Sequence, residues 1–210
     1  MVSWSLRRST RTLAGFTAVL VLGGVALSAP SGARMMRVPI DGTGTVSCSL
    51  AGKLSFSPPL SALGNPVATT VTLRAVLTNC SGTGDGANVV RGIVNVSGQS
   101  PTNDCLTLLT NAQSAARSGP LRWVTARGTP RLNPSTIELD TAAFSAGPPI
   151  TVDTGGSATA GSFAGDTSAS HTVVMETFDR LRSLCLGRGL RAIHFLPGST
   201  FALTAPASAS

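Results

Sequence analysis

The sequence predicts an all-β protein: an antiparallel β-sandwich with one or two short helices, preceded by a signal peptide. Three observations carry this expectation. Charged residues make up only 12% of the chain, about half the share of an ordinary soluble domain, too few to coat the outer faces of long helices. Glycine and proline number 23 and 13 of 210 residues and fall in clusters that mark turns. Between the clusters lie short β-branched segments in which apolar and polar residues alternate, the period of a strand with one buried side. An apolar share of 42% excludes wholesale disorder.

Residues 1–33 read as a secretory signal peptide. Arg7, Arg8 and Arg11 stand without an acid, and Leu13 to Ala29 is an uncharged run of apolar and small residues. The positive end of such a segment stays cytoplasmic while the apolar part enters the translocation machinery. Ser31 and Ala33 suit cleavage before Arg34, and Ala26 and Ser28 an earlier cut. An uncleaved anchor is the alternative, because the run approaches the shortest length that spans a bilayer. Thr10 and Arg11 follow the paired arginines where a twin-arginine signal has apolar residues, which favours general secretion. Residues 34–204 are then one sandwich domain and 205–210 a flexible tail. No second long apolar run exists, so no permanent membrane anchor is expected after cleavage. The expected location is extracellular, or loosely at the cell surface.

Strands are expected at Thr45–Leu50, Lys53–Ser57, Thr69–Thr78, Asn88–Ser97, Leu121–Ala126, Ser135–Asp140, Ile150–Asp153, His171–Thr177, Leu190–Leu196 and Thr200–Thr204. In the third, Val71, Leu73, Ala75 and Leu77 take one face while Thr72 and Arg74 take the other. Turn chemistry separates these runs at Ser57-Pro58-Pro59, Gly64-Asn65-Pro66, Ser81–Gly86, Gly98–Asn103, Gly147-Pro148-Pro149 and Pro197-Gly198. Helical spacing links Phe178, Leu181 and Leu184-Cys185 in a segment that stops at Gly187, and a second short helix is expected over Cys105–Ala116.

Four cysteines, Cys48, Cys80, Cys105 and Cys185, follow the leader at spacings of 32, 25 and 80. In an exported chain an even number reads as two disulfides, and the absence of a C-x-x-C pair argues against zinc or redox chemistry. Three pairings are open. Neighbours, Cys48 with Cys80 and Cys105 with Cys185, are preferred without being fixed by the sequence.

Charge and composition narrow the function classes. The formal net charge is +7, but three of the arginines lie in the leader, leaving 13 cations against nine acids. Arg180, Arg182, Arg188 and Arg191 cluster and would suit an anionic cell wall or lipid headgroup; a solvated face is the plainer account. Nucleic acid is not expected as a partner, because the chain has no Tyr and few aromatics for bases to stack on.

Catalytic constellations are not recognised. The G-x-S-x-G turn of a serine hydrolase is absent, and His171 and His194, the only imidazoles, each sit in a strand-like run. Glu138 and Asp140 alternate on one strand face, the best available carboxylate pair for glycoside hydrolysis. Asp85 in Ser81–Gly86 lacks the acidic spacing of a calcium loop. No cofactor and no metal are expected. Trp123, the only Trp outside the leader, is either a core anchor or, with Arg122, a ligand contact.

Cys48, Gly52, Phe56-Ser57-Pro58-Pro59-Leu60, Cys80-Ser81-Gly82, Cys105, Gly119-Pro120-Leu121-Arg122-Trp123, Pro134-Ser135-Thr136, Ser162-Phe163-Ala164-Gly165 and Cys185 before Gly189-Leu190 together resemble a group of small exported actinobacterial proteins of uncharacterised function. The resemblance covers nearly the whole chain after the leader. It implies a compact extracellular β-sandwich and carries no catalytic residue. An immunoglobulin-like arrangement competes within that architecture, since Cys105, Trp123 and Cys185 follow its Cys, Trp, Cys order. Ser183, however, stands where that fold has Tyr, and the segment before Cys185 reads as helix.

The expected function is a non-enzymatic extracellular binding or surface-interaction domain, with a cell-wall or surface component as partner. The alternative is a small-ligand or glycan-binding module using a groove near Trp123 and Arg122, and a hydrolase ranks last.

Overall fold

The structure, a computed structural model, describes residues 38–62, 68–100, 104–105 and 116–206, all within the unit that begins at Arg37. The expected signal peptide and residues 106–115 of the expected second helix lie outside the described residues, as do residues 207–210 of the tail.

Eight strands follow one another: β1 (Val46–Leu60), β2 (Thr69–Gly82), β3 (Val89–Ser100), β4 (Arg117–Thr125), β5 (Ser135–Ser145), β6 (Thr151–Ala160), β7 (Thr167–Val173) and β8 (Leu190–Thr204). Each pairs antiparallel with the next, and β8 returns to pair with β1, so the sheet closes into an up-and-down barrel. This overturns the expected sandwich and its immunoglobulin-like variant. A sandwich would interrupt the hydrogen-bond ladder between two sheets; here the ladder continues from Val46↔Leu203 to Leu60↔Leu190 across the β1–β8 seam. Inner and outer residues alternate identically in the two architectures, and only this pairing of distant segments separates them.

Closure also explains why the expected strands are fewer and longer in the structure. Thr45–Leu50 and Lys53–Ser57 belong to one strand, β1, and Leu190–Leu196 and Thr200–Thr204 to another, β8. The Pro and Gly residues that read as turns are absorbed as irregularities, with register shifts at Leu50/Gly52 and Ser55/Leu60. Such bulges bend a strand and tighten its twist, which a closed sheet needs. The bulge around Pro197-Gly198 is held by Ser199, whose hydroxyl donates to the Leu196 carbonyl at 2.9 Å and accepts the Val173 N–H at 3.0 Å. Gly156 serves the same purpose in β6. A Cβ there would fall 1.9 Å from the Glu138 carbonyl oxygen of β5, so the two strands approach as closely as they do only because the side chain is missing.

The apolar side of every strand faces inward. Leu77, Val96, Leu121, Ile137, Ile193 and Leu203 are buried, whereas Ser47, Lys53, Arg74, Thr136 and His171 are exposed on the outer side. A membrane-spanning barrel has the opposite pattern, with its apolar band turned outward. Among the described residues no helix is long and apolar enough to cross a membrane.

The two ends are built differently. One is sealed by the 38–45 segment, which crosses the β2–β3, β4–β5 and β6–β7 turns. Ile40 N–H donates to the Arg131 carbonyl, Asn133 N–H to the Ile40 carbonyl and Phe163 N–H to the Gly42 carbonyl, all at 2.7–2.9 Å. At the other end lies helix α1 (Phe178–Leu186), the only α-helix with a described span, which buries Leu181 and Cys185. Thr177 caps it by accepting the Arg180 N–H, and it stops at Gly187 as the sequence predicts. Cys185 is bonded to Cys105, while Cys105 N–H donates to the Ser61 carbonyl and Ala62 N–H to the Cys185 carbonyl. Three connections therefore meet at one disulfide. The second bridge, Cys48–Cys80, ties β1 to β2. All four cysteines are bonded, in the neighbour pairing.

Candidate functional site

The lumen is mostly apolar, and four residues with polar side chains line one cavity in it. A cavity of about 30 Å³ near the helix-bearing half is walled by Leu54, Leu73, Leu139, Phe144, Val152 and Phe195, and into it turn Thr154, Ser170, Thr172 and Arg117. The hydroxyls lie on β6 and β7, where the inner positions alternate with the outward Asp153 and His171. Thr154 and Ser170 share a hydrogen bond of 2.7 Å, and Thr172 donates to the Val152 carbonyl at 2.7 Å.

Arg117 is the unusual member. It opens β4 on the same face as Gly119, Leu121 and Trp123, and is 7% exposed. Its backbone pairs with Leu139 of β5. Its Nε is buried without a hydrogen-bond partner, and loss of solvent holds its pKa below the ordinary arginine value. No carboxylate compensates it: the two ion pairs among the described residues are His171–Asp153 and His194–Glu176, both involving exposed histidines. Leaving one buried donor unsatisfied costs about 1–3 kcal/mol, and more when the group is charged. Such a group in a folded protein calls for an explanation, and an ion that binds there is a principal one.

The residues singled out from sequence fall elsewhere. Trp123 is buried, its indole N–H donating to Ser135 Oγ at 2.7 Å and its ring meeting Phe163 edge-on at 5.3 Å. Ser135 in turn donates to the Ser162 carbonyl, and Ser162 Oγ accepts the Gly42 N–H. Trp123 is thus the anchor of the sealed end. Arg122 projects from the opposite, solvent side of β4, because neighbouring residues on a strand point to opposite faces. The two do not line a common groove.

The carboxylates and imidazoles likewise form no catalytic set. Asp85 Oδ2 accepts the Thr43 N–H at 3.0 Å and so fastens the 38–45 segment. Glu138 and Asp140 sit on the outer side of β5, Asp140 exposed. His171 Nδ1 lies 2.6 Å from Asp153 and His194 Nδ1 2.7 Å from Glu176, but among the described residues no hydroxyl or thiol engages the other ring nitrogen, as a nucleophile would. No group of three or more His, Cys, Asp or Glu able to hold a metal occurs among the described residues. Arg180, Arg188 and Arg191 line an outer cleft beside Glu176 and His194.

Sequence reasoning passed over Arg117 because it placed the strand at Leu121–Ala126, beyond Gly119-Pro120. The available signal was parity: Arg117 lies four residues before Leu121 and six before Trp123, the spacing of a common strand face. No family model, curated protein or solved structure matches the chain, so this geometry is the basis for a functional reading.

Proposed function

We propose that the protein is an exported, non-enzymatic barrel that binds a small molecule in its lumen. The observation that carries this reading is that Arg117, whose Nε is buried without a partner, and three hydroxyl-bearing residues line one cavity with otherwise apolar walls. Ligand sites combine mainly apolar lining with a few placed polar groups, and eight-stranded barrels are of the size that holds a single small ligand. The two disulfides support export, since such bonds persist in oxidising compartments, and the basic, then apolar, leader agrees with it. A screen of small fragments followed by backbone and side-chain NMR tests the reading. Shifts confined to Leu139, Phe144, Phe195 and their lumenal neighbours are expected; shifts confined to outward residues would refute it.

A second reading, attachment to an anionic cell surface, is favoured by the cleft of Arg180, Arg188 and Arg191. Glu176 there is occupied by His194 through both of its oxygens, which leaves the arginines to solvent or to an anionic partner. Co-sedimentation with cell-wall fragments tests it; a triple Arg→Gln variant that sediments as well as the parent chain would refute it.

A further inference from the structure

Resting on the reading of the lumen as a binding site, we infer that its occupant is a single halide ion, chloride by abundance, held by Arg117 Nε and by one hydroxyl of the Thr154–Ser170 pair.

Size is the first argument. The cavity of about 30 Å³ has the room of about one or two water molecules. That space takes a monatomic ion and excludes sulfate, phosphate and any acid with a hydrocarbon chain.

Charge is the second. The guanidinium stays protonated at any physiological pH, and among the described residues no carboxylate pairs with it. One monovalent anion beside it cancels the charge, whereas a monatomic cation would add to it.

Donors are the third. Arg117 Nε is buried without a partner, and its one N–H needs a single acceptor. Thr172 spends its proton on the Val152 carbonyl, but Thr154 and Ser170 share a single hydrogen bond. Two hydroxyls carry two protons, so one remains to be donated to an acceptor in the cavity. Leu139, Phe144, Val152 and Phe195 offer no polar side-chain atom. A halide accepts from both donors and has no proton of its own to place. A water molecule in the same position brings two protons, for which the lining side chains offer only hydroxyl oxygens, and it leaves the positive charge uncancelled.

NMR titration of the full chain with sodium chloride tests the inference, at constant ionic strength held with sodium gluconate, whose anion is too large to enter. The resonances of Arg117 Nε–H, Leu139, Val152 and Phe195 are expected to shift together and saturate. Sodium bromide is expected to reproduce the shifts and sodium sulfate to leave these resonances unmoved. In Arg117→Met the lumenal affinity for chloride should fall at least about tenfold, the margin of a hydrogen bond to a charged group. Should that variant fail to fold, the contrast between chloride and sulfate on the unaltered chain decides. Sulfate acting as chloride does, or chloride shifts confined to the outer arginines, would overturn the halide. A lumen indifferent to chloride throughout would overturn it too, and make water the occupant. If small fragments still perturb the lumenal residues in that case, lumenal binding survives; if neither halides nor fragments do, both this inference and the binding-barrel reading fall.

Discussion

A Cβ on Gly98 would lie 2.8 Å from Cγ of Arg117 and 2.9 Å from the Ala116 carbonyl oxygen. The cation in the lumen therefore has its place because the adjacent position on β3 carries no side chain. Gly98→Ala should push β3 and β4 apart or drive Arg117 out of its rotamer. Overpacking of this kind costs about 1–3 kcal/mol, so thermal denaturation should show a clear fall in melting temperature. An unchanged melting curve would mean that the strands yield without strain.

Arg117 itself offers the opposite test. A buried ion kept for packing destabilises a protein when removed, whereas one kept for a ligand is a burden on the empty barrel. Replacing buried ionic groups by apolar residues of similar volume is often stabilising by about 1–4 kcal/mol. Arg117→Met should accordingly raise the melting temperature. A lower one would show that the guanidinium supports the fold.

Asp166 provides a pH-dependent prediction. It is 8% exposed, and its Oδ2 is buried without a partner, so burial raises its pKa above the usual carboxylate value. Below the unfolded-state pKa both states hold the proton and the group is neutral to stability. As pH rises through the folded-state value, the unfolded chain has already ionised and the native state is penalised. Asp166→Asn should therefore stabilise the protein near neutrality, with the gain disappearing in acid. Urea unfolding of both chains at the two extremes measures this, and a gain that persists in acid contradicts it.

The two disulfides should differ in weight. Cys105–Cys185 closes 80 residues and Cys48–Cys80 closes 32, an entropic difference of roughly 1 kcal/mol in favour of the longer loop. The shorter bridge also joins strands already laddered together, while the longer one holds three connections around Cys185. Guanidinium unfolding should thus find Cys105→Ala/Cys185→Ala less stable than Cys48→Ala/Cys80→Ala. The reverse order would refute the assignment.

Local features were legible in the residues and long-range ones were not. Val71, Leu73, Ala75 and Leu77 alternate toward the core as their spacing predicts, and α1 buries Leu181 and Cys185 and ends at Gly187 as its periodicity predicts. Both depend on neighbours a few positions away. Barrel closure depends on pairing across more than a hundred residues, such as Val46 with Leu203, and alternation carries no record of it. The candidate site was hidden for a related reason. The expected strand begins at Leu121, yet Pro120 sits exposed on the outer side of a strand that starts earlier, so the strand reaches back to an arginine four residues before the expected start.

The return of β8 to β1 has a consequence for how the molecule behaves in a crowd. An open sheet presents rows of unpaired amides at its two borders, on which other chains can grow. This protein, with long apolar strands and little charge to keep copies apart, has no such border. Truncation before Leu190 would strip β1 and β7 of their shared partner and create two templates at once. A shortened product of that kind is the form expected to assemble into fibrils or precipitate.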